Sequence, residues 1–264
     1  MRLTLNFKLI ASTSLALLFI GTWPSQIAAQ PQTTGSAIIT PRRIVLRRSP
    51  KLAREFPDRK VAVVRYPTVT GLSNPQAQKN VQSLLAVKNV FGSSLNDYRD
   101  DAWLEEFDYK VGYNKKNLLD ITFSQSGTGA YPDTQFKHLL INLGTGKVVT
   151  AAEAFDNMSR KKLVQMANDK LQMEIRDLIK VVAGDKELDK EQRESLKGSL
   201  SELKFQEENL EDFEVNNNGL TFLFDAGFPH VIQALQPDGR YFFTYSALKS
   251  YIKRDGPLAV LLGN

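Results

Sequence analysis

The sequence contains no cysteine and only two histidines, His138 and His230. Without cysteine the chain can form neither disulfide bonds nor a lipid-modified N-terminal cysteine, so an exported form of it depends on its hydrophobic core. A hydrolytic metal site needs several convergent His, Asp or Glu ligands, and neither histidine belongs to a helical pair such as His-Glu-x-x-His. We therefore predict no metal and no other cofactor.

Phosphate-binding loops and nucleophile elbows are also missing. The Gly-Thr-Gly segments Gly127–Gly129 and Gly144–Gly146 lack the Lys-Ser/Thr ending of a P-loop and are typical of hairpin turns. Carboxylates are abundant, and Glu105, near Trp103 and Phe107, has two interpretations. It is either a general acid in apolar surroundings or a strand-end residue with its carboxylate in water. We assign no catalytic residue, and the sequence favours a non-enzymatic protein.

A single apolar run, Leu9 to Ile20, follows the basic residues Arg2 and Lys8 and precedes small residues that end at Ala29. It is shorter than the about 20 apolar residues needed to span a bilayer. The pattern predicts a secretory signal peptide over residues 1–29, with an uncleaved N-terminal anchor as the alternative. Cleavage would leave no stable membrane span and would place the protein in the periplasm, in the cell envelope or outside the cell. Nucleic acid is then not an expected partner.

Acidic and basic residues are nearly balanced apart from one basic segment. Two of the 34 basic residues and none of the 29 acidic ones lie in the predicted signal peptide, which leaves 32 basic residues and a net charge of +3. Residues 30–59 begin with a polar stretch broken by Pro and Gly, so we predict an extended, partly basic linker there. Its segment 41–54 has six cations and no anion. This segment either contacts an anionic surface, such as phospholipid headgroups or wall polymer, or is simply solvated.

Alternation of apolar and polar residues predicts a three-strand antiparallel meander from Trp103 to Leu143. In the first strand the alternation places one set of apolar residues on a single face: Trp103, Phe107, Tyr109, Val111 and Tyr113. The polar stretch Ser124 to Asp133 is predicted to be a loop between the second and third strands. Such a pattern indicates a sheet with one face buried and one face open to water.

Capping patterns place helices on both sides of the meander. Asn74-Pro75, Thr150 with Glu153, and Asp189 with Gln192 are helix starts, and Asn216–Gly219 is a hairpin signal. We therefore predict one α+β domain over residues 60–256, followed by a C-terminal tail, 257–264. Its antiparallel sheet, formed by the N-terminal meander and the C-terminal hairpin strands, is packed by two to four helices.

The predicted loop before Asp133 is the main candidate for ligand binding. Gly127 and Gly129 would let a ligand approach the backbone, and Tyr131 would offer a ring for stacking on a sugar or a partner side chain. His230, in a loop of its own, is the fourth candidate residue. The alternative is that Tyr131 only covers the edge of the sheet.

Taken together, the motifs resemble the extracytoplasmic domain shared by RsiV-like anti-sigma factors and the accessory region of PdaC-type peptidoglycan deacetylases. The similarity extends from Tyr66 to Ile252. It rests on the order and spacing of several short segments: Tyr66-Pro67, Gly71, Asn74, Tyr109 to Phe123, Leu143 to Lys147, Phe155, Asn218 to Phe222 and Tyr245 to Lys249. Two loops differ, because Gly127 to Pro132 lacks the histidine of the family's Gly-Gly-Ala-His-Gly-like loop, and Phe228 to Val231 replaces an Ala-Pro-Tyr segment.

The resemblance implies an exported, non-catalytic domain that binds or senses peptidoglycan or an envelope protein. The deacetylase domain of PdaC-type enzymes has no counterpart in this sequence, and neither do the cytoplasmic and transmembrane parts of an anti-sigma factor. One alternative is an inhibitor of a cationic, lysozyme-like hydrolase, which the acidic segment Glu202 to Glu214 would attract. A glycan-acting hydrolase or deacetylase is the other alternative.

Overall fold

The computed structural model describes residues 35–263, except for the side chains of residues 230 and 231. The predicted signal peptide and the start of the predicted linker lie outside the described residues. No helix between residues 35 and 263 is both long enough and apolar enough to cross a membrane.

Two sheets organise the described residues, and the α+β prediction is confirmed. Sheet 1 has six strands in the order of the chain, all paired antiparallel except β2 with β3, which are parallel. Its strands are β1 (Ile38–Arg47), β2 (Val61–Thr70), β3 (Leu104–Lys115), β4 (Leu118–Thr128), β5 (Pro132–Asn142) and β6 (Lys147–Val148). Sheet 2 is antiparallel and consists of β7 (Phe213–Val215), β8 (Gly219–Leu223) and β9 (Arg240–Thr244). The predicted meander corresponds to β3, β4 and β5.

Helices are more numerous in this range than the two to four predicted, because several are too short to show apolar periodicity in the sequence. They are α1 (Pro50–Glu55), α2 (Pro75–Leu84), α3 (Val87–Phe91), α4 (Leu95–Asp100), α5 (Ala151–Ala154), α6 (Asn157–Gly184), α7 (Lys190–Glu202) and α8 (Tyr245–Leu248). The predicted caps are confirmed: Asn74 caps α2, and Thr150 and Asp189 form capping boxes on α5 and α7.

The buried residues form two hydrophobic cores. The first core packs α2, α3 and α4 against one face of sheet 1, with Phe107 and Phe123 fully buried at its centre. The second core packs α6 and α7 against sheet 2 and the C-terminal segment. The sequence spaces seven apolar residues of α6 as one helical stripe: Leu163, Ala167, Leu171, Ile175, Leu178, Ile179 and Val182. All of them are buried in this core except Leu178 and Ile179, which are partly buried. The strands β3, β4 and β5 contribute to both cores, so sheet 1 joins them.

A β-bulge at Gly112 overturns one detail of the predicted first strand. The register moves from Val111 opposite Ile121 to Tyr113 opposite Asp120, so one residue of β3 is left over. The extra residue turns Tyr113 to the other face, where it joins the second core instead of packing beside Phe107. A side chain at position 112 would meet Asp120 Oδ1 at 2.8 Å, which explains the glycine. The prediction that Tyr113 shares a face with Phe107 is therefore wrong.

The strand β1 lies within the segment for which an extended linker was predicted. It pairs with β2 over its whole length and forms an edge of sheet 1. Leu46 is buried, and the buried guanidinium of Arg48 donates hydrogen bonds to the carbonyl oxygens of Tyr98 and Leu104. Arginine and proline are both common in edge strands, so their presence did not distinguish this strand from a linker.

The C-terminal segment also packs onto the domain, although the sequence predicted a tail at 257–264. Leu258 and Leu261 are buried in the second core. Just before them, Ile252 pairs with Phe155 in an isolated antiparallel bridge. This segment therefore forms part of the surface on which a binding site can be built.

Candidate functional site

The segment Ser124 to Asp133 is a tight hairpin in the structure, so the predicted long loop is wrong. The strand β4 continues to Thr128, which pairs with Pro132 at the start of β5. Only residues 129–131 connect them. The hydroxyl side chains of Ser124 and Ser126 are half-buried and alternate with the buried residues of β4. A strand with one polar face of small residues resembles a loop when only composition is considered.

Three of the four predicted site residues lie in or beside this hairpin. A side chain at Gly127 would come within 2.0 Å of the carbonyl oxygen of Trp103, so close backbone packing explains this glycine. Gly129 donates its N–H to the carbonyl oxygen of Tyr131 at 3.2 Å. Tyr131 is 63% exposed. His230 begins a 3-10 helix, and its side chain lies outside the described part of the structure, so its grouping with the hairpin stays a prediction.

Replacing Tyr131 by alanine is expected to change the free energy of unfolding by less than about 1 kcal/mol, because the side chain is mainly exposed. The control is Gly127→Ala, whose new methyl group would collide with backbone atoms of Trp103. That variant should be clearly less stable. Urea unfolding of both variants tests the pair, and a loss of several kcal/mol in Tyr131→Ala would show that the tyrosine belongs to a core.

The described residues form a concave site at the opposite end of β4, roughly 30 Å from the hairpin by strand length. Its volume is about 540 Å³, within the range of about 300–1,000 Å³ of small-ligand sites. Because three lysines line this site, we call it the basic cleft. Its lining residues are Lys116, Asn117, Asn142, Thr145, Lys147, Val148, Glu153, Lys253, Asp255, Gly256, Pro257 and Val260.

The turn between β3 and β4 forms the first wall of the basic cleft. Lys116 and Asn117 both have positive φ angles, 52° and 61°, as in the two-residue turns that match strand twist. A lysine in this conformation is unusual and costs roughly 1 kcal/mol. Backbone bonds hold the turn in place: Asn117 N–H donates to the Gly35 carbonyl at 2.6 Å, and Leu143 N–H donates to the Asn117 carbonyl at 2.8 Å.

The turn between β5 and β6 forms the second wall. The side-chain oxygen of Asn142 accepts hydrogen bonds from the N–H groups of Gly144 at 2.9 Å and Thr145 at 3.3 Å. Gly146 has a φ of +70° and lies so close to Ala77 that no side chain would fit. The turn is therefore rigid, and it presents Thr145 and Lys147 to the cleft.

The C-terminal segment forms the third wall. Lys253 donates its backbone N–H to the Ala154 carbonyl at 2.9 Å and its ammonium to the Ala152 carbonyl at 2.6 Å. The ammonium of Lys116 donates to the Val260 carbonyl at 2.9 Å. Two of the three lysines are thus held by backbone carbonyls, Lys116 by that of Val260 in another wall and Lys253 by that of Ala152. This arrangement fixes their positions without neutralising their charge.

The chemistry of the basic cleft suits a ligand with hydroxyl and anionic groups. The lysine ammonium groups and the amides of Asn117 and Asn142 are hydrogen-bond donors, and Thr145 both donates and accepts. Between residues 35 and 263, no group of three or more His, Cys, Asp or Glu side chains is arranged to hold a metal ion. Sequence reasoning missed this site, because its walls come from three distant parts of the chain.

A second polar cluster, also missed, lies where sheet 2 packs on sheet 1. His138 of β5 has a side chain that is only 4% exposed, and it lies between two carboxylates. Its Nδ1 is 3.0 Å from Asp212 Oδ1 and its Nε2 is 3.2 Å from Asp120 Oδ2. The Nε2 contact is an ion pair, and Nε2 has no hydrogen bond of good geometry within residues 35–263. The same oxygen of Asp120 accepts the backbone N–H of Val215 at 2.7 Å.

This environment keeps His138 positively charged. Burial disfavours the imidazolium, but the contacts with Asp120 and Asp212 outweigh it and raise the pKa of His138 to about 9. A charged, buried imidazole with a carboxylate at each nitrogen cannot accept a proton from a substrate. The cluster therefore connects the two sheets and is not suited to general-base catalysis.

Other carboxylates singled out in the sequence are engaged in local contacts. Glu105 is a half-exposed residue near the start of β3, and its Oε1 lies 3.8 Å from Arg59 Nε. This position favours the interpretation of Glu105 as a strand-end residue in water. In the acidic segment 202–214, three residues form ion pairs within the domain: Glu207 with Arg160, Asp212 with His138, and Glu214 with Arg240.

Among the solved structures that resemble this one, two belong to the DUF3298 family. A crystal structure of a family member from Bacteroides fragilis is similar with a TM-score of 0.56 and 12% sequence identity, over 88% of this chain and 100% of that chain. A crystal structure of a family protein from Pseudomonas aeruginosa is similar with a TM-score of 0.50 and 11% identity, over 83% of this chain and 94% of that chain. No family model and no curated protein matches the sequence significantly. The chain shares the fold of DUF3298 family proteins.

Proposed function

We propose that this protein is an exported, non-catalytic domain of the cell envelope that binds or senses peptidoglycan or an envelope protein. The observation that carries the proposal is the basic cleft, in which amide, hydroxyl and ammonium groups converge on rigid turns. Binding residues commonly lie on loops that a rigid scaffold positions. The apolar signal-like N-terminus and the resemblance to PdaC-type accessory regions support the envelope as the place of action.

A sedimentation experiment tests the proposal. The purified protein is mixed with washed, insoluble peptidoglycan, and in parallel it is used as bait in an extract of envelope proteins. We expect saturable retention on peptidoglycan or specific capture of one envelope protein. Absence of both would contradict the proposal. Release of soluble sugar or acetate that disappears in Glu105→Gln would identify an enzyme instead.

A binder of a cationic, lysozyme-like hydrolase is the alternative suggested by the RsiV resemblance. The acidic segment 202–214 offers less free charge than its composition indicates, because three of its carboxylates pair within the domain. The structure therefore supports this alternative less than it supports a ligand in the basic cleft. Co-purification with lysozyme at low salt, lost at high salt, would favour the alternative.

A further inference from the structure

None of the three lysines of the basic cleft has a carboxylate partner among residues 35–263. The lysine ion pairs found among the described residues belong to Lys180 and Lys197. Lys116 and Lys253 donate to backbone carbonyl oxygens instead. Lys147, exposed on β6, has no side-chain hydrogen bond or ion pair within residues 35–263. Three positive charges therefore face one concavity without being neutralised by direct pairing.

The two carboxylates of the cleft, Glu153 and Asp255, cancel only part of this charge. A carboxylate oxygen of Glu153 accepts a hydrogen bond from the backbone N–H of Thr150 at 3.1 Å, which completes the capping box of α5. A carboxylate in that position stabilises the helix start, and one of its oxygens is already used as a hydrogen-bond acceptor. Asp255 is the other one, and it is exposed. The lining as a whole carries three cations against two anions.

The backbone conformation of the β3–β4 turn also indicates that the position of Lys116 serves a function. Lys116 keeps a φ of 52°, a conformation that glycine or asparagine adopts at lower cost. Unfavourable backbone conformations that the surrounding structure maintains are concentrated at functional sites. The strained residue Lys116 lines the same cleft as Lys147 and Lys253.

We propose that the basic cleft binds an anionic glycan, with its carboxylate or phosphate held by Lys147 and the two carbonyl-anchored lysines. The amide nitrogen of Asn142 remains available as a donor, since its oxygen already accepts from Gly144 and Thr145. Together with Asn117 and Thr145 it would bind sugar hydroxyls. The inference rests on the proposed function and specifies its ligand, because envelope glycans carry either stem-peptide carboxylates or polymer phosphates.

Calorimetric titration at low salt separates these sources. The probes are soluble disaccharide-peptide fragments of peptidoglycan, poly(N-acetylglucosamine 1-phosphate), and neutral N-acetylglucosamine tetramer as the uncharged control. We expect one of the two anionic probes to bind and the neutral tetramer to bind at least about tenfold more weakly, because hydrogen bonds to charged groups contribute about 1.5–3 kcal/mol. Whichever anionic probe binds more tightly identifies the carboxylate or the phosphate as the natural group.

Variants tie the binding to the cleft. Lys147→Gln should lower the affinity for the anionic probe about tenfold. Lys147→Arg, which keeps the positive charge, should retain most of the affinity. The matched control is Lys137→Gln, which removes an exposed lysine of β5 outside the cleft lining and should change nothing. The Lys147 side chain is exposed and makes no hydrogen bond or ion pair within residues 35–263, so its variants should unfold like the parent protein.

Each remaining outcome overturns the inference in a distinguishable way. Equal binding of neutral and anionic probes, unaffected by Lys147→Gln, would overturn the anionic specificity while glycan binding itself stands. Binding to none of the three probes, together with capture of an envelope protein, would show that the ligand is not a glycan. The proposed function would then stand as binding of an envelope protein. Binding to neither glycan nor protein would overturn both.

Discussion

Replacing His138 by alanine is expected to lower the free energy of unfolding by about 3–5 kcal/mol, the usual cost of removing one partner of a buried ion pair. The imidazolium lies 3.2 Å from Asp120, whose side chain is only 3% exposed. Without it, the carboxylate of Asp120 is left buried and only partly compensated by the N–H of Val215. Urea unfolding of both proteins at pH 6 measures the difference.

The control for this variant is Asp212→Asn, which removes the outer partner of the same histidine. The Asp212 side chain is exposed, so its contribution is screened by water and should be smaller, about 1 kcal/mol or less. Equal losses in the two variants would contradict the distinction between a buried and an exposed partner. A loss below about 1 kcal/mol in His138→Ala would show that the histidine is not held as a buried cation.

The raised pKa of His138 also predicts how stability depends on pH. Its folded pKa of about 9 exceeds the ordinary value of 6.5, so its stabilising contribution is complete below about pH 6.5. The contribution, about 3 kcal/mol for this difference in pKa, is lost as the pH rises through 9. Urea unfolding at intervals between pH 6 and 9.5 should show the decline. In His138→Gln the decline should be absent, and a similar decline there would assign it to another group.

Replacing Phe222 by alanine is expected to cost about 3–5 kcal/mol, because the ring is fully buried and its removal leaves a cavity. Phe222 lies at the centre of the second core. Its ring centroid is 6.0–6.1 Å from those of four other rings, which belong to Phe155, Phe205, Phe213 and Phe243. Such pairs add to the energy of burial. Thermal unfolding of the variant should show a midpoint lowered by several degrees.

The matched control for Phe222→Ala is Phe136→Ala in sheet 1. Phe136 is 70% exposed, so the same chemical change should alter the free energy of unfolding by less than about 1 kcal/mol. If both variants lost equal stability, the assignment of Phe222 to a close-packed core would be wrong.

Local signals in the sequence were sufficient to predict several helix starts, one hairpin turn and the buried face of the longest helix. Asn74, Thr150 and Asp189 cap their helices as expected, because capping depends on residues only a few positions apart. The hairpin at Asn216–Gly219 follows from turn chemistry in the same way. The spacing of apolar residues identified the buried stripe of α6 because that helix is long enough to repeat the pattern.

Features that depend on tertiary contacts could not be read from the sequence. The bulge at Gly112 is explained by the approach of Asp120 from the next strand. The edge strand β1 resembled a linker because edge strands carry charges and proline. The hairpin of β4 and β5 resembled a loop because its open face is lined by small hydroxyl residues.

The basic cleft shows most clearly that a site built by tertiary contacts is not visible in the sequence. Lys116 and Val260, whose hydrogen bond joins two walls of the basic cleft, are 144 positions apart in the sequence. The predicted site at Gly127, Gly129 and Tyr131 relied on glycines, and at Gly127 the glycine is explained by backbone packing against Trp103. Glycine and an exposed aromatic residue indicate a turn as readily as they indicate a binding loop.

Hydrogen exchange of the protein with and without soluble peptidoglycan fragments tests most directly whether the basic cleft is the binding site. The account predicts slower exchange of backbone amides in the three walls of the cleft, residues 115–118, 142–148 and 253–260, with little change in the hairpin at 127–133. Protection confined to residues 127–133, with the walls of the cleft unaffected, would contradict it.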